Sequence, residues 1–436
     1  MTSILTIGEK IKKLRSEYKL NQDDIVGTEL TRNLISQIEH GKANLTRSTA
    51  ELIIRNTKDI LEKRGETLDE GINVEYLLET EESQAKKVIA SYIQDLKEIS
   101  VYKDNRFNVL LEKIENLLSK WELPDLKIQI CEIAGDYYTN VNNHLKAYIY
   151  YENVKYLIGC QTDMRRVISI FRKLSAVYCH TGNFAEGIRV CKYALGRFTE
   201  MEDKYKCIFT FNMSLYYNYL GEYGKALNAI TGFESVIKAT YEDRYYKVLL
   251  LKADCYYGAE RYAESLSIYN KLISITLKDD FNNLCVYYNN MTQVYLRMGK
   301  RDMAVNCINT VINNLHNISD DFEALPQIYA ELGKSYLMMA DNDKSIKYLT
   351  IALKLSKDFK YYSVTKDILN ELSKIKGNSN KLKLKDEFII LTENMGRSYD
   401  SLNHSLVFNI IQYYTRLGDV ASINELCEYC KERKVG

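Results

Sequence analysis

From residue 142 onward a turn signature recurs at a nearly constant interval, and no other feature of the 436-residue sequence constrains the fold as strongly. The segments "YCHTGNFAEGI", "YNYLGEYGKAL", "YYGAERYAESL", "YLRMGKRDMAV" and "YLMMADNDKSI" share one pattern. A tyrosine-rich helix end meets a turn, and the next helix opens with a small residue before an aliphatic one. The turn positions, Gly182, Gly221, Glu260, Gly299 and Ala340, lie 39, 39, 39 and 41 residues apart. Asn142 precedes them by 40, and Gly418 follows Ala340 by 78, two periods of 39, with the skipped turn near Asn378–Asn380. Such a period means stacked helix pairs, each burying its apolar face only against its neighbours. The chain has 2 Pro and 20 Gly against 36 Tyr, and so few breakers favour long helices over a sandwich or barrel.

The pattern resembles tetratricopeptide repeats, which run to about 34 residues, lengthened here by about a turn of helix. It covers roughly residues 90–432, about eight degenerate units, without the usual proline, and with the single Trp121 outside any repeat signature. The resemblance implies a curved right-handed superhelix whose inner groove is lined by the first helix of each pair. It also implies groove-facing asparagines that clamp the backbone of an extended peptide, nine residues before the turn. Counting back from Gly221, Gly299 and Gly418 lands on Asn212, Asn290 and Asn409, and from about Ser379 on Asn370. An asparagine side chain donates to a peptide carbonyl and accepts from its N–H at once. In so asparagine-rich a chain, helix capping or coincidence is the competing reading. Lys173 and Lys247 also fall on first helices, either to meet a ligand carboxylate or as solvated lysines. The recurring Tyr178, Tyr217, Tyr256, Tyr295, Tyr336 and Tyr414 read as interhelix packing.

Ahead of the array, Ile7, Ile11 and Leu14 repeat at helical spacing, with Lys10, Lys12, Lys13 and Arg15 expected outward. Asn21 is a good N-cap for a short helix from about Gln22 to Val26, with Asp23 and Asp24 suited to its first turn. Thr31 caps a third helix that stops near His40-Gly41. In "LTRNLISQIEHGK", Leu34, Ile35 and Ile38 look inward while Arg32, Asn33, Ser36 and Gln37 look outward. Two short helices joined by a tight turn form a helix-turn-helix, whose second helix enters the DNA major groove.

Here "LRSEYKLNQDDI…TRNLISQIEHGKANLT" resembles the Cro/repressor (XRE-type) family over roughly residues 5–65. The "VGTEL" connection is about one residue shorter than the family pattern, and Val26 stands where alanine is common. The resemblance places Gln22 against a phosphate or base edge, and Arg32, Asn33 and Gln37 facing bases with Ser36 nearby. The chemistry agrees, since arginine reads guanine and asparagine or glutamine reads adenine, each at about 1–3 kcal/mol. Lys42 and Asn44 suit backbone phosphates, and Glu39 suits a structural partnership with Arg15. Residues 1–66 hold 7 Lys and 5 Arg against 3 Asp and 7 Glu, net 12 − 10 = +2, and the whole chain is +1. So weak a field argues for two copies acting on paired half-sites.

Other classes find little support. The N-terminus lacks the apolar stretch of a signal peptide, and no run of about 18 apolar residues suggests a membrane span. The ten cysteines, mostly inside apolar stretches, read as reduced and buried, so a cytoplasmic location is expected. "CEYC" (Cys427, Cys430) lacks the further ligands of a zinc site and reads as helix packing. His40, His144, His180, His316 and His404 are far apart in sequence, and no phosphate-binding or nucleophile motif is present. Neither an enzyme nor a cofactor is expected.

The expected architecture is all-α: a DNA-binding domain over 1–66, a helical linker over 67–90, and a repeat domain over 91–436 for peptide binding and dimerisation. This domain order resembles the RRNPP group of peptide-pheromone receptors. The resemblance implies a cytoplasmic homodimeric transcription regulator of quorum sensing that binds promoter DNA and a short signalling peptide. The alternative is a DNA-tethered scaffold whose array binds a protein partner.

Overall fold

The computed structural model describes residues 4–102, 106–158, 163–376, 382–395 and 404–434, and all regular structure among them is helical. The chain divides into two compact units, Met1–Ala134 and Gly135–Gly436.

The first unit opens with α1 (Ile7–Glu17), α2 (Gln22–Val26), α3 (Arg32–Glu39) and α4 (Arg47–Lys63). Each start is fixed locally. Thr6 and Glu9 form a capping box on α1, Asp24 accepts from the Asn21 N–H at 2.6 Å, and the Thr31 hydroxyl accepts from the Leu34 N–H at 3.2 Å. Gly41, in the left-handed conformation (φ 68), follows α3. Ile11, Leu14, Ile25, Ile35, Ile38 and Ile53 form the core of this bundle, and Leu77 of α5 (Val74–Leu78) is buried with them. Residues 68–78, expected to belong to the connection, thus complete the core of the helix-turn-helix bundle. Gly8 permits close approach of α1 to the end of α3, since a Cβ there would lie 2.5 Å from the Glu39 carbonyl oxygen.

Two basic residues of α1 depart from the expected outward face. Lys10 is fully buried: its Nζ donates to the carbonyls of Tyr76 at 2.6 Å and Glu79 at 2.7 Å, capping the end of α5. Helical periodicity within α1 alone gives no sign that α5 covers that face. Burial lowers the Lys10 pKa, and Glu79 opposes the shift. Arg15 turns to Glu39 and is largely covered. The unit continues through α6 (Glu81–Val101), α7 (Arg106–Leu118) and α8 (Pro124–Asn140), and the boundary between the units falls within α8.

In the second unit, α8 leads into α9 (His144–Leu157), and six further pairs bring the count to α21: α10 (Met164–Thr181) with α11 (Phe184–Arg197), and α12 (Asp203–Tyr219) with α13 (Tyr223–Thr240). Next come α14 (Tyr245–Gly258) with α15 (Tyr262–Ile275), and α16 (Phe281–Arg297) with α17 (Arg301–Asn314). Then follow α18 (Leu325–Met338) with α19 (Asn342–Asp358), and α20 (Tyr362–Lys374) with α21 (Leu384–Met395). The eighth pair is α22 (His404–Leu417) with α23 (Val420–Lys434). Asn142, Gly182, Gly221, Glu260, Gly299, Ala340 and Gly418 all lie at positive φ, between 56° and 75°, so each turn read from the period is a left-handed helix stop. The expected turn at Asn378–Asn380 lies outside the described residues. One further left-handed residue, Lys360 (φ 58), makes a tight joint between the sixth and seventh pairs.

First helices pack on first helices, α10 on α12, α12 on α14, α16 on α18, α18 on α20 and α20 on α22, while second helices fill the spaces between pairs. Small residues make the close contacts within a pair. Seven positions before the turn stand Gly135, Ser175, Ser214, Ala253, Thr292 and Gly333, and five after it stand Ala147, Gly187, Ala226, Ser265, Ala304 and Ser345. Nearly all are fully buried, and Ser265 Oγ donates across one such seam to the Ala253 carbonyl at 2.9 Å. The recurrent tyrosines pack as expected, with Tyr178, Tyr217, Tyr295, Tyr336 and Tyr414 buried and Tyr256 half-buried.

Candidate DNA-binding face and groove

Helix α3 is anchored by Ile35 and Ile38, both buried, and offers Arg32, Asn33 and Gln37 to solvent, with Ser36 half-buried. Lys42 and Asn44 follow it on the surface. The His40 ring N–H donates to the Ser36 carbonyl at 2.6 Å and closes the helix end. Arg32 lies 3.5 Å from the Asp23 carboxylate and 3.4 Å from the Gln22 side-chain oxygen, with its own side chain 69% exposed. Pairs that exposed contribute little, so Arg32 can leave Asp23 for a base edge at small cost.

Beneath this face lies a fixed network. Arg15 donates twice to Glu39, from Nε at 2.7 Å and Nη2 at 3.1 Å, in the bidentate geometry that suits a guanidinium and a carboxylate. Gln22 Nε2 donates to the same carboxylate at 2.8 Å. Glu39 is therefore the partner expected for Arg15, and it also holds Gln22, a link the sequence did not suggest. The side-chain oxygen of Gln22 is thereby turned towards Arg32.

In the array, the six sequence-derived groove candidates all lie on first helices. Asn212 donates to Ser175 Oγ on the preceding first helix at 3.0 Å, and Asn409 donates to Asn370 Oδ1 at 2.6 Å. Asn290 is half-buried on α16, and the Tyr269 hydroxyl of α15 donates to Asp254 at 2.6 Å. Lys173 reaches Asp136 at 2.7 Å and is neutralised within the chain, whereas Lys247 is exposed beside the Tyr246 ring. Asn212, Asn370 and Asn409 thus engage neighbouring first helices, and a peptide backbone would have to exchange those bonds.

The structure adds charged groups to this region. Glu331 and Lys334 of α18 pair at 2.7 Å, Glu371 of α20 pairs with Lys374 at 2.6 Å, and Lys334 feels both Glu371 and Asp367. Burial pushes the Asp254 carboxyl up to about 6, with the Tyr269 hydrogen bond opposing and Glu331 adding to the rise. Burial also raises Asp367, with Lys334 opposing. Tyr219 of α12 senses both Asp254 and Asp367, so carboxylates from α14, α18 and α20 share one region. The period carried this signal as well: nine and six residues before Ala340 stand Glu331 and Lys334, and six before Glu260 stands Asp254.

His144 and His180, 36 residues apart in sequence, stack at 3.8 Å between ring centres. Burial lowers His144 to about 3, with His180 adding to the fall. Nine cysteines are described, all as free thiols, and burial pushes Cys131 up to about 11 and Cys191 to about 12. Among the described residues, no group of three or more His, Cys, Asp and Glu is placed to hold a metal ion, and no helix is long and apolar enough to cross a membrane.

A small helical bundle with a helix-turn-helix, followed in the same chain by stacked helix pairs, defines a helix-turn-helix protein with a C-terminal tetratricopeptide-like array. Accordingly, a helix-turn-helix domain family matches residues 8–77. Among solved structures, the chain is similar to a Rap protein complexed with competence and sporulation factor, at 15% identity over 97% of this chain and 99% of that one, TM-score 0.47. It is also similar to aspartyl phosphate phosphatase F from Bacillus subtilis, at 15% identity over 90% and 95%, TM-score 0.47. A third is the apo form of the quorum sensor NprR from B. thuringiensis, at 12% identity over 80% and 99%, TM-score 0.45. At these identities and scores the similarity assigns no role to any residue. No curated protein sequence matches the chain.

Proposed function

We propose that this protein is a peptide-responsive transcription regulator, acting as a cytoplasmic homodimer. Its helix-turn-helix binds operator DNA, and the first helices of its array bind a short extended signalling peptide. The observation that carries the DNA half is α3 itself, buried on Ile35 and Ile38 and presenting Arg32, Asn33 and Gln37 to solvent. In the peptide half, Asn212, Asn290, Asn370 and Asn409 pair with peptide carbonyls and N–H groups. The domain order, which resembles that of peptide-pheromone receptors, supports joining the two halves. With a local charge of only +2, tight binding needs two readers on paired half-sites, which supports the dimer.

The test is fluorescence anisotropy of labelled DNA from upstream of the gene, with and without synthetic peptides from neighbouring small reading frames. The expected result is sequence-specific binding that one peptide shifts. Specific binding that no peptide alters points instead to a DNA-tethered scaffold. Failure to distinguish operator from random DNA removes the DNA-reading role of α3.

A further inference from the structure

In a stack of helix pairs, contacts reach about one period along the chain. The hydrogen bonds between first helices obey this, Asn212 to Ser175 spanning 37 residues and Asn409 to Asn370 spanning 39. One bond does not. The Asn142 side chain donates from Nδ2 to the Phe359 carbonyl at 3.2 Å, across 217 residues. Asn142 is the left-handed turn of the first pair, and Phe359 caps the end of α19 in the sixth, just before Lys360. Carbonyls at a helix end lack intrahelical partners, so this one is available to a distant donor.

Two further observations point the same way. Glu323, in the connection before α18, acts electrostatically on both His180, at the end of α10, and Tyr361, beside Lys360. Tyr219 of the third pair senses Asp367 of the seventh. Groups on the first three pairs thus lie within electrostatic reach of the sixth and seventh.

We propose that the contact of Asn142 with the end of α19 is a latch that closes one turn of the array and sets how readily its interior opens. The residue chosen at 142 supports this. Gly182, Gly221, Gly299 and Gly418 satisfy the same left-handed turn with no side chain. Asparagine tolerates that conformation and adds an amide donor. One neutral hydrogen bond contributes modestly, so the latch is built to open. This goes beyond the peptide reading and does not depend on it.

The test is hydrogen–deuterium exchange by mass spectrometry on the full chain and on Asn142→Gly, which keeps the positive φ and removes the donor. Amides around 355–362 and 142–147 are expected to exchange about three- to tenfold faster in the variant. The radius of gyration from small-angle scattering is expected to rise, with helical circular dichroism unchanged. Unaltered exchange and radius in a folded variant overturn the latch. If Asn142→Gly loses helical structure, Asn142→Asp decides, because aspartate tolerates the same backbone conformation and its ionised carboxylate cannot donate. The same local acceleration there supports the proposal, and its absence overturns it. No ligand enters the measurement, so failure here leaves the DNA and peptide reading standing.

Discussion

Glu39 is the most consequential single residue of the helix-turn-helix bundle, because one buried carboxylate accepts from both Arg15 and Gln22. Replacing it by alanine leaves a mostly covered guanidinium without its partner and frees Gln22. Glu39→Ala is expected to destabilise the N-terminal unit by about 1–3 kcal/mol, read as a lower denaturant midpoint, and to weaken operator binding beyond that loss. A variant with wild-type stability would mean that the network holds little energy. The Arg15–Glu39 pairing was legible in the sequence because the helix-turn-helix pattern supplies it. The burial of Lys10 was not, because its partners are carbonyls at Tyr76 and Glu79 and carbonyls leave no residue-type signature. In the array, Asp254 makes a pH prediction. Its folded pKa, about 6, stands above the ordinary 3.8, so the folded state holds the proton more tightly. The cost of ionising it is absent below the ordinary value and fully present above the folded one. Asp254→Asn is therefore expected to match the parent near pH 4 and exceed it near pH 7 by about 1–3 kcal/mol. Urea titrations at the two pH values check this, and a difference independent of pH counts against it.

At the scale of the element, the array is held by the meeting of small residues from the two helices of a pair. A Cβ at Gly333 would lie 2.5 Å from Leu349 Cγ and 3.1 Å from the Leu349 backbone nitrogen, and backbone cannot rotate away. Gly333→Val is expected to cost about 1–3 kcal/mol by overpacking. Thermal unfolding should show the loss, and an unchanged midpoint would mean that α18 and α19 separate freely. Turn positions were legible because each needs a left-handed residue, and a period of 39 exposes even the non-glycine stops Glu260 and Ala340. The tight joint at Lys360 was not legible: it falls between pairs, off the period, on a residue type with no preference for positive φ. Groove chemistry was legible only in part. The nine-residue count places asparagines on first helices, but not the neighbours, such as Ser175, that engage them.

At the scale of the whole molecule, a reader and a sensor in one chain can influence each other only through a difference in ligand affinity between two conformations. The consequence is quantitative. The factor by which a bound peptide changes operator affinity must equal the factor by which operator DNA changes peptide affinity. The two halves also have separable energetics. Arg32 is exposed and weakly paired, so Arg32→Ala is expected to leave stability nearly unchanged. It should cost operator binding about 1–3 kcal/mol, with peptide affinity in the absence of DNA intact. Asn290 lies on a first helix nine residues before its turn, so Asn290→Ala is expected to weaken peptide binding by about 1 kcal/mol, while operator affinity without peptide holds. Anisotropy titrations of labelled operator and labelled peptide, each with and without the other ligand, measure all four affinities for each variant. Both variants should keep the reciprocal factor of the parent, because neither residue belongs to the conformational change. Equal damage to both ligands from either substitution would mean that the two binding functions are not separable and would count against this division of labour.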